Sequence, residues 1–185
     1  MEQLHYRTME EMEAGQDFIH QSPRDTGTLE MIVRRPREDE REVIEEAELS
    51  LVDGLVGDNW KPRGSKIMPD GSAHPDRQIT LINSRLIGLL AREREFWPRA
   101  GDQLYVDLDL SAENLPPGTQ LAIGGAVLEA TGLPHTGCRK FSARFGVDAL
   151  QFISAPERKA LRLRGIYAKV VEPGVIRRGD RVQKK

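Results

Sequence analysis

Residues 103–110, Gln103-Leu104-Tyr105-Val106-Asp107-Leu108-Asp109-Leu110, decide the class of the fold. Leu104, Val106, Leu108 and Leu110 occupy every second position, the period of a half-buried β-strand. C-terminal to it, Pro116-Pro117-Gly118 makes a turn, and residues 120–130 read as a strand pair bent at Gly124-Gly125. Residues 138–145 read as a short helix with Phe141 and Phe145 one turn apart, and residues 155–163 as a second one opened by Pro156. Residues 166–171 form a strand, Glu172-Pro173-Gly174 turns, and residues 181–183 can pair as a last strand.

In the other direction, Asn83 or Ser84 caps a helix running to about Glu95, with Leu86, Leu89 and Leu90 inward. Residues 77–82 are a short strand, and residues 60–75 are a loop rich in Pro, Gly and Ser. Residues 42–51 fit a helix through Val43, Ala47 and Leu51, but strand is favoured because they run into the turn Gly54-Leu55-Val56-Gly57-Asp58. Residues 28–35 form a strand, with Leu29, Met31 and Val33 on one face, that ends at Pro36. Thr8-Met9-Glu10-Glu11 has the form of a capping box ahead of a short helix that would bury Met9, Met12 and Ile19. Six or more short strands among a few short helices spell a mainly β (α+β) protein with a closed or partly closed, barrel-like core. The expected organisation is an N-terminal appendage over 1–27 and a single domain over 28–185.

A chain of 185 residues is long enough for one domain to bury a core without staples. Its formal net charge of −2 provides no general attraction to nucleic acid or to an anionic membrane. The single cysteine excludes an internal disulfide. No apolar run suits a signal peptide or a bilayer span, so a cytoplasmic protein is expected.

That cysteine, Cys138, sits in Gly132-Leu133-Pro134-His135-Thr136-Gly137-Cys138-Arg139-Lys140-Phe141. A thiol at a helix start, beside Arg139, Lys140 and His135, is set up as a thiolate that attacks electrophiles or binds soft metals. The alternative is a buried, inert thiol. A Cys–His pair with His135 or His74 is conceivable, but the four histidines have no zinc-ligand spacing. Gly54 to Asp58 resembles half of a phosphate loop without its Lys-Ser/Thr, and reads as a glycine turn with a fixed carboxylate. Arg77, ahead of a strand, can hold an anion bidentately or make a surface ion pair.

Taken in order, these pieces resemble the MOSC domain family, named after the C-terminal domain of molybdenum-cofactor sulfurase, in a stand-alone bacterial-type form. The resemblance rests on Gly54 to Asp58, Arg77 to Ile82, Ser111 to Leu115, Gly118 with Leu121 to Gly124, Cys138 to Phe141, Phe145-Gly146, Arg164 to Val170 and Gly174 to Asp180. It covers residues 42–183 or so. It implies a β-barrel-like core in which Cys138 is a thiolate ligand to molybdenum beside the two sulfurs of the pterin. It makes Arg77, Arg139 and Lys140 candidates to hold the phosphate of the molybdenum cofactor (molybdopterin), with Asp58 and Asn114 shaping the pocket. The expected function is an oxidoreductase acting on N-oxygenated compounds. Its partners would be a small-molecule substrate and an electron-donor protein, with no nucleic acid and no membrane. One alternative is a sulfur carrier, with a persulfide on Cys138 and a sulfur donor or acceptor protein as partner. Another is a non-enzymatic binding module.

Overall fold

A computed structural model describes residues 6–185; residues 1–5, the start of the expected appendage, lie outside the described residues. The strand expected around Leu104 is there, as β6 (Leu104–Asp107), within a sheet that closes on itself. The other strands of the ring are β1 (Thr26–Arg34), β5 (Ile79–Asn83), β7 (Gln120–Ile123), β8 (Ala126–Ala130), β9 (Ile166–Glu172) and β11 (Arg181–Lys184). Their order is β11-β7-β8-β9-β5-β6-β1, and the pairing of Thr26 with Gln183 and Thr28 with Arg181 joins the two ends. Seven strands thus form a barrel with no free edge. The expected mainly β, barrel-like α+β architecture is the observed one.

β2 (Glu42–Ile44) extends the wall at β1. β3 (Glu46–Ser50), β4 (Gly54–Leu55) and β10 (Gly174–Arg177) make a small separate sheet, so the expected strand over 42–51 is there up to Ser50, interrupted at Glu45. The loop expected over 60–75 opens with one helical turn, α2 (Trp60–Arg63). β5 and β6 are the one parallel pair of the ring, joined by a crossover through α3 (Ser84–Ala91). Asn83 caps α3: its side-chain oxygen accepts from the backbone N–H of Arg85 at 2.8 Å and of Leu86 at 3.2 Å. This helix stops at Ala91, short of Glu95, because Arg92 takes a left-handed turn and a 3-10 segment (Arg94–Ala100) follows. Leu86, Ile87 and Leu90 are buried, while Leu89 is only partly so.

The alternation around Leu104 implied one wet face, and here the structure corrects the expectation. Leu104, Val106 and Leu108 point into the barrel, but Tyr105 on the other face is equally buried. A second core lies outside the wall, where helices cover it. Met31, Val33, Ile82 and Tyr105 from the strands meet Leu86, Trp97, Phe141, Phe145 and Phe152 there. α1 (Met9–His20) belongs to this layer, with Met12 and Ile19 buried and both arms of the Thr8–Glu11 capping box formed. α5 (Val147–Ser154), not expected from the sequence, follows α4 (Arg139–Phe145). The last helical piece is a 3-10 segment (Pro156–Leu161). No helix among the described residues is long and apolar enough to cross a membrane.

Candidate functional site

Cys138 is the N-cap residue of α4 and is exposed, which removes the reading of a buried, inert thiol. The chain that carries it is pinned on both sides to one cluster of charged side chains. Three residues before it, the His135 ring lies against Tyr167 of β9, centroids 4.5 Å apart. Three residues after it, Phe141 lies beneath the Arg164 guanidinium, 5.1 Å from ring centroid to Cζ. Arg77, at the end of a 3-10 turn (Pro75–Arg77), lies 5.3 Å over the opposite partner of that stack, Tyr167. The strand expected from Arg77 therefore begins two residues later, at Ile79.

Behind this layer two buried carboxylates each hold an arginine. Asp58 grips Arg35 as a fork, with Nε to Oδ2 and Nη2 to Oδ1 both at 2.8 Å, and also accepts from the backbone N–H groups of Arg35 and Trp60. Arg35 in turn donates to the Gly101 carbonyl at 3.0 Å. Asp102 accepts from Arg164 Nη1 at 2.6 Å. Burial outweighs that bond and pushes the Asp102 carboxyl above the usual range. The other Asp102 oxygen faces His135 Nδ1 at 3.7 Å, too far for a hydrogen bond. The pair is not an ion pair. Burial, then the charges of Arg164, Arg35 and Arg77, hold the His135 pKa well below its ordinary value, so the imidazole is neutral.

Stability should report this directly. The unfolded chain takes a proton on His135 near pH 6.5, whereas the folded chain refuses it. Stability is therefore lost as the pH falls below that value, at up to about 1.4 kcal/mol per pH unit until the folded pKa is reached. Urea unfolding between pH 8 and pH 5 should show this slope, and His135→Gln should flatten it; an unchanged slope would place the proton uptake elsewhere.

Arg41, Arg63 and Arg77 have no carboxylate partner among the described residues. Their charges and those of Arg35 and Arg144 converge: burial, then repulsion from Arg144 and Arg35, lowers the pKa of Arg41, and burial, then repulsion from Arg35, lowers that of Arg63. The buried Nε atoms of Arg41, Arg77 and Arg164 have no hydrogen-bond partner. This concentration of unsatisfied donors makes the cluster the candidate site.

Of the residues singled out in the sequence, the structure brings Arg77 and Asp58 to this cluster and places Arg139 and Lys140 beside Cys138. Asp58 acts on Arg35 and has no free oxygen to spare. Arg139 is exposed and makes no ion pair among the described residues. Lys140 is taken up by Glu38 at 2.6 Å, which raises its pKa. Asn114 is not brought in. Its amide donates to the Arg24 and Asp109 carbonyls, and its oxygen accepts from Lys184 Nζ. Those contacts lie at the start of β1, whereas Arg35 lies past its end, roughly 30 Å further along the strand at about 3.3 Å per residue. Arg35, Arg41, Arg63, Arg144, Arg164, Asp102 and Tyr167 were not picked out from the sequence. They come from five separate stretches, the β1–β2 loop, α2, the approach to β6, α4 and the start of β9, which only the fold makes neighbours.

The donor set suits a phosphate-bearing cofactor that brings its own metal ligands. Surplus arginine N–H groups match phosphate oxygens. Among the described residues no three His, Cys, Asp or Glu side chains are placed to hold a metal by themselves, so the lone thiol fits a single soft bond from the protein.

Comparison with known proteins agrees with the architecture. The YuaD protein from Bacillus subtilis superposes with a TM-score of 0.63 at 18% identity, over 86% of this chain and 95% of that one. YiiM from Escherichia coli gives 0.56 at 19% identity, over 85% and 69%. YiiM from Geobacillus stearothermophilus gives 0.58 at 14% identity, over 86% and 75%. At such identities the likeness is one of fold. No curated protein matches the sequence. The MOSC domain model matches residues 69–183, more than half of the chain and the span that carries Arg77, Asp102, His135, Cys138 and Arg164. With that match on the same closed barrel, the chain belongs to the MOSC domain family.

Proposed function

We propose that this protein holds the molybdenum cofactor through Cys138 and works as an oxidoreductase on N-oxygenated compounds. The observation that carries the reading is the pairing of one exposed thiol with three arginines that lack carboxylates. MOSC domains are associated with this cofactor in general, which fits the same chemistry. When bound, the cofactor supplies a redox metal able to exchange two electrons with an N–O bond.

The chain's own residues have separable tasks. Cys138 provides the soft ligand. Arg77, Arg41 and Arg63 hold the phosphate by charge-assisted hydrogen bonds, and Arg139 adds positive potential at the rim. Asp58 and Asp102 lock Arg35 and Arg164 in place behind them. Neutral His135, whose buried Nδ1 has no hydrogen-bond partner among the described residues, can accept or donate a hydrogen bond to a bound group. Electrons come from a separate donor protein, since the chain has no flavin fingerprint and one cysteine.

The test is elemental analysis and pterin fluorescence on protein purified from a host that makes the cofactor. Near-stoichiometric molybdenum is expected. Its absence would turn the assignment to the second reading, a sulfur carrier. The exposure of the thiol favours that reading too, because a partner protein can reach it. Intact mass would then show one additional sulfur on Cys138.

A further inference from the structure

The loop between β1 and β2 carries two carboxylates into the group of cations just described. Lys140 Nζ of α4 lies 2.6 Å from Glu38 Oε1 and 3.4 Å from Asp39 Oδ1, and Arg144 Nη2 lies 3.0 Å from Asp39 Oδ1. Arg41 also feels the charge of Asp39, and Arg63 that of Glu38. Two cations of α4 thus share the two acids, and Arg41 lies beside Arg144 at Gly101. Both ends of this loop are fixed, Arg35 by Asp58 and residues 42–44 by pairing with β1. Its middle is held by contacts within the loop, a turn bond from the Glu40 N–H to the Arg37 carbonyl, an Arg37–Glu40 ion pair and a bond from Arg41 to the Glu40 carbonyl, and reaches the rest of the protein through these ion pairs. The Glu38 and Asp39 side chains are 79% and 62% exposed, so the pairs are weak and screened by salt. Asp39 adopts a left-handed backbone with φ of 61°. That costs a non-glycine residue something, and the arrangement presents its carboxylate to α4.

We propose that Glu38 and Asp39 are a built-in anionic latch, which holds residues 36–40 against the Cys138 helix until a phosphate-bearing ligand takes over the cations. The proposal rests on the reading of the arginine cluster as a phosphate site. Lys140 and Arg144 cannot satisfy both partners at once, and a doubly charged phosphate drawn in by the arginines beside them prevails over two exposed carboxylates. In the absence of ligand the carboxylates neutralise part of the repulsion among the crowded cations. On binding, the loop is released, and the path to Cys138 changes with it.

The experiment uses the full chain and pyrophosphate as the probe. Binding is measured by calorimetry at low salt for the parent, for E38Q/D39N and for R77Q, with hydrogen exchange followed over residues 36–41. Asparagine tolerates the left-handed turn, so the double variant keeps the loop's backbone. It should bind pyrophosphate roughly tenfold more tightly, with the gain shrinking at high salt. Residues 36–41 should exchange faster in that variant, and faster in the parent once pyrophosphate is added. R77Q should weaken binding in either background. Equal affinities and unchanged exchange, with R77Q still weakened, would overturn the latch and spare the phosphate site. No pyrophosphate binding by any variant would overturn both. Cofactor-loaded protein distinguishes the source of the phosphate: fast exchange over residues 36–41 assigns it to the cofactor, slow exchange to the substrate.

Discussion

Cys138→Ser is expected to abolish molybdenum or sulfur loading and leave the fold unchanged. The thiol is exposed and makes no capping hydrogen bond, so no packing is lost. Serine is itself a preferred N-cap residue, and thermal stability should stay within about 0.5 kcal/mol of the parent or rise slightly. Its hydroxyl, however, does not ionise near neutral pH and is a poor ligand for a soft metal. Metal content, pterin fluorescence and intact mass read the loss, and circular dichroism reads the fold. Unfolding of the variant with loading retained would defeat the assignment, because the cysteine would then be a structural residue and not the working one.

Asp58→Ala is the substitution expected to harm the fold most among the site residues. Its side chain is fully buried and answers four donors: Arg35 Nε and Nη2, and the backbone N–H groups of Arg35 and Trp60. Removing it strands a buried guanidinium, at a cost of about 3–5 kcal/mol. For a chain of this size that is a fall in Tm of roughly 10 °C. Pyrophosphate binding should weaken as well, since Arg35 would no longer be held against Gly101 behind the cluster. The exposed pair Arg178–Glu45, 2.9 Å apart, is the control. Arg178→Ala should change stability by less than about 0.5 kcal/mol, because both partners are half-solvated. Equal effects of the two substitutions would show that the Arg35–Asp58 fork is no more than a surface ion pair.

Residues with strong local signals are legible in the sequence alone. The Thr8–Glu11 capping box, the Asn83 cap, the bend at Gly124-Gly125 and the strand beginning at Leu104 all depend on neighbours within a few positions, where sequence spacing is also spatial spacing. Helix ends are less legible. The helix after Asn83 stops early because Arg92 turns left-handed, and Val147–Ser154 has no clear signal because Gly146 separates it from α4 without a side-chain cap. Tyr105 is misplaced on a wet face by its alternation, which records only that one face is apolar and says nothing of a helical layer on the other.

The sequence by itself determined a barrel-like α+β chain with one cysteine at a helix start, and its ordered motifs pointed to the MOSC family. It singled out Cys138 and Arg77 because local context was enough: a basic, glycine-bearing turn and an arginine ahead of a strand. Only the tertiary structure decided that Asn114 stands at the far end of β1, that Lys140 is occupied by Glu38, and that Arg35, Arg41, Arg63, Arg144 and Arg164 gather around Asp102 and His135. The physical reason is the closure of the ring. Pairing of β1 with β6 and β11, and of β5 with β9, brings together segments as much as a hundred residues and more apart, and no local propensity encodes which charged side chains will share that space.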